Sequence, residues 1–441
     1  MRKLNIAVIG SGIAGLSAAW LLSKNHHVTL LEKEDYPGGH SNTRTVKTGD
    51  GEIPVDTGFI VYNEENYPNL TAFYQHLGVD TSPSNMSFSY SQNEGRYEYS
   101  GTGAKGIFGQ KSNLFNYGHW HMLRDIRRFF ASAPTVIARY SETTTLGEFL
   151  DAENYSRAFR EDHILPMAAA IWSSPAADIE AFPAKSFIDF YSNHGLLKLR
   201  KRPPWRTVTG GSKEYVAKIL DDTNITVKLA NPVKRVRRLT DKVEIYDQFG
   251  VQSYDQVVFA CHGDIALRLI DEPTRAENHV LGEFQYSDNK VILHDDNRFM
   301  PKRRHIWCSW NYNNAKKHER NETSITYWMN RLQPLQTKTD LFVTVNPNQS
   351  VDPDRILYQT MCRHPVMDVN SIKAQKELWQ LQGVKRSWFC GSYFGFGFHE
   401  DALQSGLAVG EDLGGIKRPW TVPNDSGRIQ RFNNEYAQAA E

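Results

Sequence analysis

The chain has 441 residues, 40% hydrophobic and 12% aromatic. That is a globular composition, too long for one simple core, so two intimately joined domains are expected. A formal net charge of +1 gives no global reason to bind nucleic acid. Cys261, Cys308, Cys362 and Cys390 are far apart and form no CxxC pair, which speaks against a disulfide framework or a metal centre.

After Met1-Arg2-Lys3 the stretch Leu4 to Ile9 is too short for a secretory h-region, and no apolar run reaches the ~18 residues of a membrane span. The expectation is a cytoplasmic protein, soluble or held peripherally at the inner membrane face. Leu4 to Ile9 reads as a buried parallel strand. It runs into Gly10-Ser11-Gly12-Ile13-Ala14-Gly15, a helical pattern over Leu16 to Leu22, and a second strand, Val28-Thr29-Leu30-Leu31-Glu32. Gly10 suits the tight turn, Gly12 lets a pyrophosphate approach the backbone, and Gly15 lets helix and sheet pack closely. The helix N-terminus offers its N–H groups, including those of Ile13 and Ala14, to phosphate. Glu32 ends the second strand 17 residues after Gly15, where a carboxylate can accept both ribose hydroxyls and disfavours a 2′-phosphate. Lys33 follows it.

Next come Pro37-Gly38-Gly39-His40-Ser41-Asn42-Thr43 and Pro54-Val55-Asp56-Thr57-Gly58-Phe59. The glycine pair turns the chain back along the pyrophosphate, and Gly58 is small enough to lie beside a flat ring. Residues 64–204 are mainly helical in pattern, with Trp120 to Phe130 amphipathic and Leu196 to Trp205 basic and apolar. Thr209-Gly210-Gly211 marks a turn. Asn231 to Val236, Val243 to Tyr246 and Tyr254 to Ala260 read as strands, the last returning to the nucleotide. Residues 271–382 mix strands and loops. They carry Lys290, a polar pair His294 and Asp296, and a third basic run, Met300 to His305. The three basic-aromatic stretches suit anionic headgroups as well as ordinary solvated faces.

The end of the chain holds Phe389-Cys390-Gly391-Ser392, then Gly397-Phe398-His399-Glu400-Asp401-Ala402-Leu403-Gln404-Ser405-Gly406. With the N-terminal motifs, this resembles the flavin-containing amine oxidase superfamily. Closer still, the chain resembles bacterial predicted NAD/FAD-binding, amine-oxidase-like proteins associated with cyclopropane-fatty-acid synthase-like enzymes. That resemblance rests on Val55-Asp56-Thr57-Gly58-Phe59-Ile60-Val61-Tyr62-Asn63, Leu293-His294-Asp295-Asp296, Trp307-Cys308-Ser309-Trp310-Asn311-Tyr312 and Gly397 to Asp401.

The resemblance implies an α/β fold: a Rossmann-type, amine-oxidase-like FAD-binding domain interleaved with a mixed α+β substrate domain. The FAD domain is expected from 1–63, 205–270 and 383–418, the substrate domain from 64–204 and 271–382, and a tail from 419–441. Beyond the residues above, it implies cofactor contacts from Gly38, Gly39, His40, Ser41, Thr57, Gly58, the backbone of Val233, Ala260, Gly391, Ser392, Glu400, Asp401 and Ala402. Ser392 stands where the superfamily often has an acid. Phe398 falls at one wall of the amine oxidases' aromatic cage, the second wall being unrecognisable here. His399 and Lys290 are candidates to relay a proton, and Tyr393 adds apolar surface.

The expected activity is FAD-dependent oxidation or desaturation of an apolar, fatty-acyl lipid, by hydride transfer to flavin N5. The alternatives are an amine or amino-acid oxidase, and a structural-flavin partner of a lipid-modifying enzyme.

Overall fold

The computed structural model describes residues 2–172, 176–198, 203–314 and 324–431. Its first layer is a five-stranded parallel sheet in the order Thr226–Lys228, His27–Leu31, Asn5–Ile9, Gln256–Phe259 and Ser387–Phe389. Ile6 to Ile9 and Val257 to Phe259 are buried, because helices or strands cover both faces of the sheet and an unbroken apolar run is then favourable. On one face lie the helices Ile13–Leu22, Pro68–Leu77, Lys213–Asp221 and His399–Gly414. All ten residues of Ile13–Leu22 are buried, so this helix is apolar on every side, as a central helix should be. Helix His399–Gly414 crosses it at Gly406, where a Cβ would stand 2.2 Å from the Ala14 carbonyl oxygen. The other face carries an antiparallel ribbon, Arg235–Arg238, Val243–Asp247 and Gly250–Tyr254, with the helices that follow it.

The second layer is a seven-stranded sheet in the order Ile356–Pro365, Tyr286–His294, Phe342–Val345, Ser324–Trp328, Trp310–Asn314, Phe88–Gln92 and Tyr97–Ser100. Only Trp310–Asn314 and Phe88–Gln92 pair in parallel. The helical pattern read over 64–204 therefore overlooked three strands, these two and Thr81–Ser84. The signal at Phe88–Gln92 is the period-two alternation of Phe88, Tyr90 and Gln92 with Ser89 and Ser91, too short to outweigh the helices downstream. Those helices, Tyr117–Val136 to Ala184–Asn193, gather an aromatic core of Phe129, Phe149, Phe159, Phe187 and Tyr191.

Two packing features bear on the expected bounds. Helix Pro68–Leu77 buries Leu70, Phe73 and Tyr74 in the core beside the parallel sheet, so this part of 64–204 packs with the nucleotide side. The segment after Pro419 is not a free arm over its described residues. Trp420 stacks on Trp20 at 5.8 Å, Ile429 is buried, and Arg428 bonds to Asp401 at 3.1 Å. Just before it, buried Arg418 reaches Glu411 at 2.8 Å and Asn69 at 2.9 Å. Its polar composition conceals arginines that find buried partners. Residues 432–441 lie outside the described residues.

Candidate functional site

The loop after the first strand is built as the glycine spacing requires. A Cβ on Gly15 would stand 1.9 Å from the Gly10 carbonyl oxygen, and one on Gly10 2.7 Å from that of Ala260. Ala260 thus closes on the loop and must stay small. At Gly12, by contrast, a Cβ would meet nothing within 4 Å. That open space lies over the N-terminus of helix Ile13–Leu22, which has no side-chain cap. Buried, uncapped N–H groups of Ile13, Ala14 and Gly15 facing a cradle fit an anionic group such as a pyrophosphate.

Glu32 is buried at the strand end. Its Oε2 accepts from Ser11 N at 2.9 Å and Ser11 Oγ at 2.6 Å, and its Oε1 from Glu34 N at 3.0 Å. Three of about four lone-pair sites are filled, which fixes the carboxylate and leaves room for one further donor on Oε1. The Lys33 side chain is exposed and pairs with Glu34 at 3.1 Å, pointing away from this carboxylate's work. Gly38 N reaches back to Ser11 O at 3.0 Å, and Gly39 packs against Gly12, its Cβ position 3.1 Å from the Gly12 Cα. The glycine pair and the nucleotide loop therefore form one surface. Val233 packs on the core beneath the antiparallel ribbon.

His40 continues from the glycine pair. Its Nε2 is buried without a hydrogen-bond partner, an orphan that a bound ligand could satisfy. Its ring lies 5.5 Å from that of His364, which accepts a bond from Asn289 Nδ2 at 3.0 Å. Ser41 is buried and its hydroxyl meets both Tyr215 Oη and, at 3.2 Å, His399 Nε2. Tyr215 Oη lies 2.9 Å from the same nitrogen, and the His399 ring stacks on Phe59 at 3.7 Å. Burial, with His40 nearby, pushes His399 down to about 3, and burial raises the Tyr215 phenol well above its ordinary value. A protonated phenol and a neutral imidazole therefore share this hydrogen-bonded cluster with Ser41.

His40, His262, His364, His399, Phe59 and Phe398 are half-buried. The open Gly12 position, the uncapped N–H groups behind it and the unpartnered His40 Nε2 fit the anionic part of a dinucleotide.

Several candidate residues do other work. Gly58 is demanded by crowding, since a Cβ there would stand 2.1 Å from the His40 carbonyl oxygen. Thr57 bonds Asn42 O through both N and Oγ1. Asp56, just before them, accepts from Ser212 N at 2.9 Å and Gln333 Nε2 at 2.9 Å. It ties three segments together, and burial raises it to about 6. Glu400 caps another helix, accepting from Asn69 N and Leu70 N at 3.0 Å each. Asp401 takes Phe398 N at 2.8 Å and Arg428 Nη1 at 3.1 Å. Neither carboxylate is free for a cofactor, although the first-turn N–H groups of their helix are. Ala402 is buried in the core. Gly391 N bonds Ser405 Oγ at 2.9 Å, and the Ser392 carbonyl accepts from Gly395 N and Gly397 N, folding this loop tightly.

Two catalytic candidates lie elsewhere. The Tyr393 ring is buried against Phe284 at 5.0 Å, on the opposite side of the parallel sheet. Lys290 is exposed and paired in register with Met361, itself 59% exposed. Its neighbour Asn289 is buried instead. Tyr215, His262 and His364 went unrecognised in the sequence. Only Tyr215 had a flag, its place just after the Gly210-Gly211 turn.

Residues 8–77 match the family of NAD(P)-binding Rossmann-like domains. The N-terminal part is 43% identical over 77 residues to lysine-specific histone demethylase 1 homolog 1 of Arabidopsis thaliana, a match covering 17% of this chain and 9% of that protein. Solved structures match over nearly the whole length. One, assigned as a protoporphyrinogen oxidase of Exiguobacterium sp., has a TM-score of 0.68 at 13% identity, covering 94% of this chain and 99% of that one. The fold is that of the flavin amine oxidases. A fatty acid isomerase from P. acnes shares this amine-oxidase fold at a TM-score of 0.64 and 15% identity, over 94% and 98% of the chains. So does cyclohexylamine oxidase from Brevibacterium oxydans, at 0.62 and 14%, over 93% and 100%.

The buried histidines give the site a pH signature. Burial lowers His262, His364 and His399 to about 3, below the unfolded value of about 6.5. As pH falls through ~6.5 the unfolded chain takes up protons first, so stability drops from there down towards the folded values. Each contributes up to about 1.4 kcal/mol per pH unit in that window. Thermal melting at pH 7.5 and 5.0 is expected to show a fall of at least ~5 °C, reduced in His364→Asn. A flat profile would show that these rings stay solvated.

Proposed function

We propose that the protein is an FAD-dependent oxidoreductase of the oxidase or desaturase type acting on an apolar, fatty-acyl substrate. When bound over the glycine loop, FAD would supply a two-electron acceptor able to take hydride at N5 from a substrate C–H bond. The observation that carries the substrate class is the setting of Phe398. Its ring stacks on Phe190 at 4.9 Å and meets Trp172 edge-on at 6.2 Å. His194, 5.8 Å away, is pushed down to about 3 by burial and is therefore neutral at physiological pH. Phe398 leans on its own core instead of standing free as one wall of an amine cage. Trp172, Ile179, Phe182 and Met367 pack in the same aromatic core. An aromatic wall of this kind excludes water and favours an apolar group over a charged one. Beside Phe398, the Ser41–Tyr215–His399 network holds a neutral imidazole, so this wall carries no charge.

The fatty acid isomerase among the fold's neighbours supports an acyl reading, and cyclohexylamine oxidase supports an amine one. One experiment separates them. The purified protein, expected to be yellow with a band near ~450 nm from bound oxidised flavin, is mixed anaerobically with phospholipids bearing unsaturated or cyclopropane acyl chains, and separately with an amine panel. Bleaching by lipid alone is the expected result. Bleaching by amines, with hydrogen peroxide released in air, would establish an amine oxidase. A flavin that neither reduces would leave a structural role beside a lipid-modifying enzyme, and a colourless protein that refuses FAD would end the proposal.

A further inference from the structure

Among the described residues, eight large hydrophobic side chains are exposed, and four of them fall between positions 114 and 120: Leu114 at 47%, Phe115 at 91%, Tyr117 at 77% and Trp120 at 48%. An exposed apolar group standing alone needs no explanation, but a cluster does. This cluster is held out by specific bonds. Asn113 is buried and donates to Glu98 O at 2.9 Å. Gln110 accepts from Glu98 N at 2.8 Å and donates to Arg96 O at 2.6 Å, and His305 Nε2 lies 3.0 Å from Gly109 O. Asn116 caps helix Tyr117–Val136 through His119 N at 3.2 Å, and Trp120 Nε1 reaches Leu114 O at 2.9 Å. The 3-10 turn Lys111–Phe115 and the start of the helix are thus locked with Phe115 and Tyr117 pointing into water, where burying them elsewhere would have stabilised the fold.

The charge around them is one-sided. Between Gly101 and Val136 stand Lys105, Lys111, Arg124, Arg127 and Arg128 against one acid, Asp125. Asp125 is fully buried and is spent on Arg124, Arg128 and the backbone of Ser156. Lys105, Lys111, Arg124 and Arg127 are exposed in the same stretch of chain as the Phe-Tyr-Trp cluster, with no exposed acid among them. Aromatic side chains that bury their rings at headgroup depth beneath lysines and arginines are the pattern of a protein seated on an anionic bilayer. No helix among the described residues is long and apolar enough to cross a membrane, so such seating would be peripheral. The same helix places Phe129 and Ala133 in the aromatic core that Phe398 joins.

We infer that the surface formed by Leu114, Phe115, Tyr117 and Trp120, with Lys111 and Arg127, docks the protein on the face of an anionic lipid bilayer. This stands independently of the redox reading, because it rests on exposure and charge remote from the nucleotide loop.

The test is flotation of the purified full-length protein with phosphatidylcholine vesicles, with and without phosphatidylglycerol, at low and high salt. Binding is expected only with the anionic lipid and is expected to weaken with salt. Phe115→Ser with Tyr117→Ser, and separately Lys111→Glu with Arg127→Glu, should each lower the bound fraction at least tenfold while leaving the visible spectrum and melting temperature unchanged. Either pair suffices if the other fails to fold. Failure of the wild type to float, or floating of both variants like the wild type, would overturn the inference. So would a dimer in sedimentation velocity that Phe115→Ser with Tyr117→Ser dissociates, since the occupant would then be a second copy of the chain.

Discussion

Valine at position 12 is expected to empty the protein of flavin while leaving it folded. Gly12 sits at φ −63° and ψ 173°, a conformation open to any residue. The position of its missing Cβ faces free space, so the protein itself does not object. As a helix N-cap, glycine is modestly preferred to valine, and the apoprotein should lose no more than about 1 kcal/mol. The free space lies over the uncapped N–H groups of Ile13, Ala14 and Gly15, and a branched side chain there holds phosphate oxygens out of hydrogen-bond range. A loss of affinity of at least 100-fold, about 2.7 kcal/mol, is expected when FAD is titrated into the apoprotein. Gly15→Ala supplies the contrast. Its Cβ would stand 1.9 Å from a backbone oxygen and 3.0 Å from the Ala260 Cβ, and neither can retreat, so that variant should fail to fold. If Gly12→Val retains full flavin occupancy, the pyrophosphate does not run over this helix and the cofactor assignment is lost.

What could be read in the sequence was local. Strand, glycine loop, helix and strand-end acid lie within the first 32 residues, so their spacing alone states their geometry. The closing segment could be recognised at the other end of the chain, but not what it touches. His399 meets Ser41 across 358 positions of sequence and Tyr215 across 184, and no local pattern reports such a contact. Lys290 shows the limit of reasoning by likeness on a strand. Successive side chains point to opposite faces, so an error of one position exchanges the buried residue for the exposed one. Asn289 faces His364, whereas Lys290 faces solvent. Tyr393 fails for a related reason: the 3-10 turn Ser392–Phe394 swings its ring beneath the sheet. His364 and His262 had no flag, because composition does not distinguish a histidine packed beside a site from one on the surface.

Glu400 gives the second large effect, because it decides between two roles for one carboxylate. The family likeness makes it a cofactor contact, whereas the structure makes it a bolt between two helices. It is fully buried. It accepts from Asn69 N and Nδ2 at 3.0 and 2.9 Å, Leu70 N at 3.0 Å and Gln404 Nε2 at 3.0 Å. Two of these donors are orphan N–H groups at the N-terminus of helix Pro68–Leu77, which has no side-chain cap of its own at Tyr67. Glu400→Ala would leave those buried donors without acceptors, at a cost of about 3 kcal/mol or more. In a protein of 441 residues that corresponds to roughly 3 °C in melting temperature. Glu400→Gln keeps the shape and one carbonyl acceptor and should cost about half as much. Under the bolting role, flavin affinity in Glu400→Gln stays within twofold of the wild type while the melting temperature falls. Under the cofactor role the pattern reverses, with at least a tenfold loss of flavin affinity at an unchanged melting temperature. Measured together, the two quantities distinguish a residue that positions the wall of the site from one that touches what it holds.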